Sequence, residues 1–459
     1  MRRGFLLDSN RRDPKPSPAA GLGSTPPKRD TVSVARLAPI SNDAARSPLP
    51  LPVAPVSTND SPERSKSSST TKIRIPSGFF AAPERTPSLP EMESHLFSLK
   101  PQPRLQMLHV PQVPSQPDDV QTLCILWEDT RAALRSKHNF PAPFDPSINV
   151  GRFSIVDIAG KGKSMVAARD FELGELVVAE RPLLVLPETM VYQPPYRSAG
   201  DVIAALIEHT MPPHVKRLYF DLRNSHPNTP GMSAAEGISN TNGLTLGLFP
   251  GWPGPYDAVF YYVSRANHSC SPNVRSSWEL DAFTYELRAQ RPIRVGEEIT
   301  INYTNVYFPY EERQQDHISH WCFTCTCRAC SLPPRERSQS DARRRILHDL
   351  MPDASHEREI LTWIKNPKLP DDHILKKYLT YVNYMKEEDL NEADDWAAVL
   401  PPLVKTYCAL GDAENAKRWA TQAAGIEKAQ TRKEGVWTDI AKSPERTAWW
   451  GLRRKSPKV

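Results

Sequence analysis

Three residue types that bind metals or hold ligands by hydrogen bonds stand close together in the stretch SRANHSCSPN, residues 264–273. Asn267, His268 and Cys270 lie within four positions of one another there. Four of the chain's seven cysteines lie in a second stretch, WCFTCTCRAC, residues 321–330. Cysteines clustered in this way are typical of a metal site, whereas a disulfide scaffold spreads its cysteines along the chain.

The second stretch contains a C-x-C-x-x-C pattern formed by Cys325, Cys327 and Cys330. Zinc takes four ligands in a tetrahedron, so three thiolates within six residues need a fourth ligand from elsewhere. Cys270 is a candidate, because it lies in an irregular segment beside a proline. Cys322 offers an entirely local set of four instead, and an iron–sulfur cluster would use the same thiols. Four ligands within nine residues have little freedom to surround one metal ion, which counts against the local set. The spacing favours zinc and leaves the fourth ligand open.

The composition restricts the classes of function. The chain has 459 residues, and 58 basic residues nearly balance 53 acidic ones, which does not indicate a dedicated nucleic-acid binder. No apolar run approaches the roughly 20 residues that a membrane-spanning helix needs. The first residues, MRRGFLLDSNRR, have too short an apolar patch for a secretion signal. We therefore expect an intracellular protein, in the nucleus, the cytoplasm or both.

The texture of the sequence changes along the chain. Close to half of the 46 prolines lie in the first 120 residues, and we predict a disordered Pro/Ser-rich region over residues 1–147, with a possible helix at 118–137. Short β-branched runs broken by glycine then predict strands, with helices inserted at about 188–240. Residues 333–459 read as helices. Within them Gly411 and Asp412 are expected to end one helix and cap the next, as in a tetratricopeptide unit.

Four motifs in a fixed order resemble those of one protein family. GKGKSMVAARDFELGELVVAERPLL opens the region, NHSCSPN and GEEITINY follow, and FTCTCRAC closes it. Together they are similar to SET-domain protein lysine methyltransferases. The SET-and-MYND group and related SET proteins common in fungi also share the segment TNGLTLG. This resemblance implies a mainly β SET fold with small sheets, a threaded pseudoknot and inserted helices. It implies a SET domain over residues 148–304 and a post-SET zinc segment over 305–332.

The chain departs from the family pattern in three places. No cysteine occurs between residues 153 and 269, so the zinc-binding MYND finger is absent, and its role in binding partners cannot be carried over. Ser164 stands where the family often has a further glycine. Phe308 stands where many of these enzymes have a second tyrosine.

The resemblance implies S-adenosylmethionine as cofactor and zinc as structural metal. Zinc would be held by Cys270, Cys325, Cys327 and Cys330. Tyr303, at the end of the GEEITINY strand, would be the catalytic residue. The cofactor would contact Lys161, Gly162, Lys163, Asn267, His268 and Phe323. On residue type alone, a tyrosine such as Tyr303 at the end of a strand is usually a packing residue, and only the motif favours catalysis. Packing against the metal loop explains Phe323 equally well. His268 has the alternative of a buried histidine that holds its loop, and both of its roles can coexist.

The implied activity is protein-lysine N-methylation of histones or other proteins, with a lysine side chain of a protein as substrate. The alternative is a SET fold without catalysis that serves as a protein-interaction module. A zinc-stabilised adaptor without cofactor is a third possibility. Nothing in the motifs indicates a membrane or a nucleic-acid site, and a protein partner is possible at the helical C-terminal region.

Overall fold

The computed structural model describes residues 72–75, 104–114, 116, 119–188, 190, 196–349 and 355–455. The strands in these ranges are β1 Leu105–Val110, β2 Thr122–Trp127, β3 Phe153–Ile158, β4 Gly162–Ala167, β5 Leu176–Glu180, β6 Leu184–Pro187, β7 Leu244–Phe249, β8 Trp252–Val259, β9 Asn267–His268, β10 Val274–Glu279, β11 Thr284–Ala289 and β12 Thr300–Ile301. The helices are α1 Glu128–Ser136, α2 Ala199–Thr210, α3 Pro213–Phe220, α4 Ala234–Asn242, α5 Tyr310–Trp321, α6 Pro334–His348, α7 Ser355–Lys365, α8 His373–Glu387, α9 Ala393–Leu410, α10 Ala413–Thr431, α11 Val436–Lys442 and α12 Leu452–Lys455.

The strands form several small sheets. The largest has the order β1-β2-β6-β8-β7, and its second strand is buried along its whole length. A three-stranded sheet has the order β10-β11-β5, and β3 pairs with β4 as an antiparallel hairpin. Strand β2 is apolar on both faces because the chain packs against both. This arrangement is the mainly β fold that the sequence predicts.

The structure differs from the prediction before residue 148. The segment predicted as a possible helix at 118–137 is a strand over Thr122–Trp127 followed by a helix over Glu128–Ser136. Strand β1 also lies in the region predicted to be disordered. A continuous apolar run buried on both faces has no period that separates strand from helix, which explains the difference. The rest of the predicted disorder, over residues 1–71 and 76–103, lies outside the described residues.

A short parallel pairing threads the two central motifs through each other. Strand β9 pairs with β12, so that Asn267 lies opposite Thr300 and His268 opposite Ile301. Asn273, almost fully buried, pins the crossing, because its side-chain oxygen accepts from the Thr300 backbone N–H at 2.8 Å. Its amide nitrogen donates to the Glu298 carbonyl oxygen at 2.9 Å. The NHSC segment is thereby fastened beneath the strand that leads to Tyr303.

Helices surround this core on two sides. Helices α2, α3 and α4 lie within the predicted insert and pack against the β2–β6 face of the large sheet. Helices α7 to α11 form a second apolar core in the C-terminal region. Gly411 ends α9 in the left-handed conformation, with φ of 66°, and the Asp412 carboxylate accepts from the Asn415 backbone N–H at 3.0 Å. Both features are those expected from the sequence. Within the described ranges, none of the helices is long and apolar enough to cross a membrane.

Asp257 on β8 is a buried carboxylic acid with an unusual pKa. Burial, and next the neighbouring Glu188, raise its pKa from 3.8 to about 7, while a 2.8 Å hydrogen bond from Thr245 opposes the shift. The unfolded chain therefore ionises at a lower pH than the folded one. Below about pH 4 the carboxyl group is largely protonated in both states, so its ionisation hardly changes the free energy of unfolding. As the pH rises to 7 the folded state loses stability, by at most about 4 kcal/mol for a shift of this size.

Replacing Asp257 with asparagine is expected to raise the free energy of unfolding at pH 8 by about 1–3 kcal/mol and to leave it nearly unchanged at pH 4. Urea unfolding at both pH values measures the effect. Asp281→Asn is a suitable control, because Asp281 is exposed and its ion pair with Lys137 is a surface pair of little energetic value. An equal gain at both pH values would show that ionisation of Asp257 is not the cause.

Candidate active site and metal centre

His268 and Tyr303 meet where β9 and β12 pair. The Tyr303 backbone N–H donates to His268 Nδ1 at 3.0 Å, and the Tyr303 hydroxyl donates to the Ala266 carbonyl oxygen at 3.0 Å. Both side chains are more than 90% buried. Two hydrogen bonds, one from the Tyr303 backbone and one from its hydroxyl, thus hold the tyrosine against one short segment.

Four thiols converge beside this pair. The Sγ atoms of Cys270, Cys325, Cys327 and Cys330 all lie within 4.8 Å of one another. Cys270 and Cys330, sixty residues apart in sequence, have their sulfurs 3.5 Å apart. Cys322 is not part of this group: it is exposed and ends α5 in the left-handed conformation, with φ of 56°. Of the two sulfur sets left open by the sequence, the structure brings together the one that contains Cys270.

Local hydrogen bonds shape the cysteine loop. The side-chain amide of Gln314 on α5 accepts from the Cys325 backbone N–H and donates to its carbonyl oxygen, both at 2.9 Å. The Cys330 N–H donates to the Cys327 carbonyl oxygen at 3.0 Å and closes a turn. These bonds direct three sulfurs towards one point.

A second group of possible metal ligands overlaps the first: His268, Cys270, His317 and Cys325. The hydrogen bonds of His268 argue against its use. Since His268 Nδ1 accepts the Tyr303 N–H, the proton of the neutral ring lies on Nε2, which is 3.2 Å from Cys270 Sγ. His268 is therefore a hydrogen-bond donor to a sulfur rather than a metal ligand. The four cysteines remain the better donor set.

The four thiols shift one another's pKa values in opposite directions. Hydrogen bonds from Cys270, then from Cys325 and Cys330, lower the pKa of Cys327, whereas hydrogen bonds within the cluster and burial raise the pKa values of Cys270 and Cys325. Arg313 on α5 is fully buried, and its Nη2 lies 4.0 Å from Cys330 Sγ. Burial opposes the charge of this guanidinium, but the sulfurs of Cys270 and Cys330 raise its pKa. Four thiolates around a divalent ion carry a net charge of about −2, which a buried guanidinium partly compensates.

A cavity of about 380 Å³ adjoins the cluster, and the β9–β12 crossing forms one of its walls. Its lining includes all the residues predicted to serve catalysis or cofactor binding: Lys161, Gly162, Lys163, Asn267, His268, Tyr303 and Phe323. Its size is that of a small-molecule site. The four motifs, which are spread over more than a hundred residues of the sequence, thus share one cavity.

The β3–β4 hairpin contributes one wall. Gly160 and Gly162 both have positive φ, at 78° and 74°, which is why the turn needs glycine there. Lys161 forms an ion pair with Glu298, and the Lys163 Nζ lies 3.0 Å from Asp221. Both lysines line the cavity, and each has a carboxylate partner.

Gly162→Ala is expected to weaken ligand binding in this cavity by about tenfold and to cost about 1–2 kcal/mol of stability, since an L-residue at this φ is strained. Calorimetric titration with S-adenosylmethionine and urea unfolding measure the two effects. Gly296→Ala is the control: Gly296 has a φ of 83°, with open space around it, and does not line the cavity. We expect it to lose stability with unchanged binding. Equal binding by both variants would contradict a role of the Gly162 turn in the site.

Aromatic rings form the opposite wall. The rings of Tyr303 and Trp321 are 5.3 Å apart, and Phe323 stands edge-on to Tyr303 at 6.3 Å. His317 stacks on Phe323 at 5.0 Å, and burial lowers the pKa of His317 to about 4. The wall next to Tyr303 is therefore apolar and uncharged near neutral pH.

Several residues of the cavity were not predicted from the sequence. They are Asp221, Arg223, Asn242, Arg265 and Trp321. Asp221 joins two of the walls, because Arg265 donates to it at 2.7 Å and Lys163 at 3.0 Å. Asn242 belongs to the TNGLTLG segment, a motif that could have indicated it. Asp221 lies in the insert without any motif, and only the fold reveals it.

Comparison with known proteins identifies the region around this cavity. The SET-domain family profile matches residues 162–304. The chain contains a SET domain. The predicted SET domain is thus confirmed over the matched residues, with the small sheets and inserted helices that the fold was expected to show, and the C-terminal region is helical as predicted.

Two relatives extend the comparison. The histone-lysine N-methyltransferase set5 of Schizosaccharomyces pombe is 32% identical over 199 residues, which cover 42% of this chain and 56% of that protein. The N-lysine methyltransferase SMYD2 of Gallus gallus is 32% identical over 109 residues, 24% of each chain. The chain therefore spans little more than half of the first relative and about a quarter of the second.

A solved structure, the SET domain of LSMT bound to lysine and AdoHcy, is similar over 66% of this chain and 90% of that chain. It is 12% identical in sequence, with a TM-score of 0.27.

Proposed function

We propose that the protein transfers a methyl group from S-adenosylmethionine to the side chain of a lysine in a protein substrate. The observation that carries this proposal is the single cavity of the SET domain, in which Tyr303, the Asn267–His268 segment and the Gly162 turn come together. The two relatives described above are both named as lysine methyltransferases, which supports the same activity for this chain.

The residues present fit the cofactor. Its amino-acid end carries a carboxylate and an ammonium, and the cavity lining offers both kinds of partner in Lys161, Lys163 and Asp221. The rings of Phe323 and Trp321 offer flat surfaces for an adenine base. Asn267 is held within hydrogen-bond reach of the site by Ser164, whose Oγ accepts from its amide nitrogen at 2.6 Å. When bound, the cofactor supplies an electrophilic methyl group on a sulfonium.

Tyr303 is proposed as the catalytic residue. Its hydroxyl donates to the Ala266 carbonyl oxygen, and we propose that the hydroxyl oxygen accepts a hydrogen bond from a substrate ammonium. The neighbouring apolar wall removes water from that ammonium, which lowers the pKa of a lysine and favours the neutral amine. Orientation by the two hydrogen bonds that Tyr303 makes to the 266–268 segment adds to this effect.

Zinc is the metal proposed for the cysteine cluster. A tetrahedron with metal–sulfur bonds of ~2.3 Å has sulfur–sulfur edges of about 3.8 Å, which the spacing of the four Sγ atoms accommodates. A metal there would fasten the segment that carries Phe323 to the loop that carries His268. Its role is structural, because all four positions are taken by protein ligands.

The departures from the family pattern leave the cavity intact. Ser164 is fully buried and holds Asn267, so it replaces a glycine with a useful hydrogen bond. Phe308 is not part of the cavity lining, and its carbonyl oxygen accepts from Arg313. Neither departure favours the alternative of a catalytically inactive interaction module.

The experiment that tests the proposed function has two stages. Calorimetry with S-adenosylmethionine asks whether the cofactor binds, and transfer of radioactive methyl groups to histones and to a protein lysate asks whether lysine is methylated. Binding with transfer supports the enzyme. Binding without transfer to any protein would favour the interaction module, and absence of binding would favour a zinc-stabilised adaptor.

The finer assignments extend the same proposal. The substrate is a protein lysine, in histones or in other proteins, and the site of action is inside the cell, in the nucleus or the cytoplasm. A protein partner at the helical C-terminal region is proposed as well, since helix pairs of this kind offer broad surfaces.

A further inference from the structure

A buried arginine from the C-terminal helices reaches the segment that lines the cavity. Arg344 on α6 is fully buried. Its Nη1 donates to the Cys270 carbonyl oxygen at 2.9 Å and also to the Val306 carbonyl oxygen. Its Nη2 donates to Ser271 Oγ at 3.3 Å. One side chain therefore holds the loop after NHSC and the chain after Tyr303 together.

Glu388, which follows α8, holds this arginine in place. Its carboxylate is 2% exposed and accepts from Arg344 Nε at 2.8 Å, Arg343 Nε at 2.7 Å and Ser340 Oγ at 2.6 Å. The Glu388 backbone carbonyl oxygen accepts from Ser271 Oγ at 2.7 Å. Glu388 thus binds the loop directly at Ser271 and also holds Arg344, which binds the loop at Cys270.

Burying the charged groups of this network costs desolvation free energy. A charged pair removed from water is seldom more stabilising than apolar residues of the same size, so it adds geometry more than stability. The pair fixes the position of the loop at Cys270 and Ser271. Asn267 and His268 precede them by only two to four residues and line the cavity. An error in the loop would therefore move both.

We propose that Arg344 and Glu388 are positioning residues for the cofactor cavity, so that the C-terminal helices are a working part of the SET-domain site. They act through the loop at Cys270 and Ser271, and they touch neither the cavity nor the transferred group. This inference rests on the proposed function.

The test compares two buried arginines of the C-terminal region. Arg453 on α12 is also over 90% buried, and it donates to the carbonyl oxygens of Trp363, Asn366 and Leu369 and pairs with Asp371. It makes as many contacts as Arg344, all of them within the C-terminal region. Arg344→Met and Arg453→Met are each made in the full chain. Thermal unfolding, zinc content and calorimetric binding of S-adenosylmethionine are measured for both.

Both variants are expected to melt at a lower temperature, because each loses a buried hydrogen-bond network. Only Arg344→Met is expected to raise the Kd for S-adenosylmethionine, by about tenfold, while Arg453→Met stays within about twofold of the wild type. Equal Kd values for the two variants would overturn the inference. A wild-type chain that binds no S-adenosylmethionine would remove the proposed function and the inference together.

Ser271→Ala provides a second variant in case Arg344→Met does not fold. It removes only the hydroxyl at the loop end of the network and leaves Arg344 with Glu388 and the Cys270 carbonyl oxygen. We expect a Kd about threefold higher, with a smaller drop in melting temperature than in Arg344→Met. The same variant with unchanged Kd would contradict the direct link between Glu388 and the loop.

Discussion

Replacing Cys270 with serine is expected to abolish metal binding and to reduce methyl transfer about 100-fold or more. The Cys270 sulfur lies 3.5 Å from that of Cys330 and is the only member of the four-sulfur cluster that comes from the NHSC segment. A hydroxyl is a poor zinc ligand beside thiolates, so the remaining three cysteines would lose their fastening to this segment. Metal analysis by mass spectrometry and a methyl-transfer assay measure the two effects.

Cys322 supplies the matched control. It is exposed, caps α5, and lies outside the four-sulfur cluster although it is near the other cysteines in sequence. Cys322→Ser should keep about one zinc ion per chain and full activity. If Cys270→Ser kept its metal and Cys322→Ser lost it, the local set of four cysteines would be the true site.

Replacing Tyr303 with phenylalanine is expected to slow methyl transfer by a factor of about 10²–10⁴, the range typical of a positioned acid or base group. The ring would still pack against Trp321 and Phe323, so the cavity should keep its shape. Only the hydroxyl that donates to the Ala266 carbonyl oxygen is removed. The Kd for S-adenosylmethionine should therefore stay within about twofold of the wild type. Single-turnover kinetics and calorimetry separate the two quantities.

Tyr381→Phe is the control for this change, because Tyr381 on α8 lies among the C-terminal helices, away from the cavity. It should leave the rate of transfer unchanged. Undiminished turnover in Tyr303→Phe would return Tyr303 to the role of a packing residue at the end of a strand, the alternative that its residue type allows.

The sequence is informative where chemistry restricts residue types and spacing. Three cysteines in six positions, a G-x-G turn with positive φ and a tyrosine at a strand end can be recognised locally. The choice between Cys270 and Cys322 could not be made in that way, because spacing alone permits both. It depends on the parallel pairing of β9 with β12, a long-range contact that brings Cys270 to the loop at residues 325–330.

Other features could not be predicted for physical reasons. Strand β2 is buried on both faces, so its apolar run has no periodicity that separates strand from helix. The sequence therefore predicts a helix there. Asp221 reaches the cavity from the inserted helices, and Arg344 reaches the loop at Cys270 and Ser271 from the C-terminal helices. Single charged residues on helices are usually solvated, and nothing in their neighbours distinguishes these two.

The pairing of β9 with β12 and the sulfur cluster join parts of the chain that lie far apart in sequence. Contacts between distant parts of a chain form slowly, because loop entropy is lost before contacts are gained. The three thiols at residues 325–330 are close together in sequence, whereas Cys270 depends on this slower pairing. We therefore expect a metal at the proposed site to bind the three local thiols before it binds Cys270.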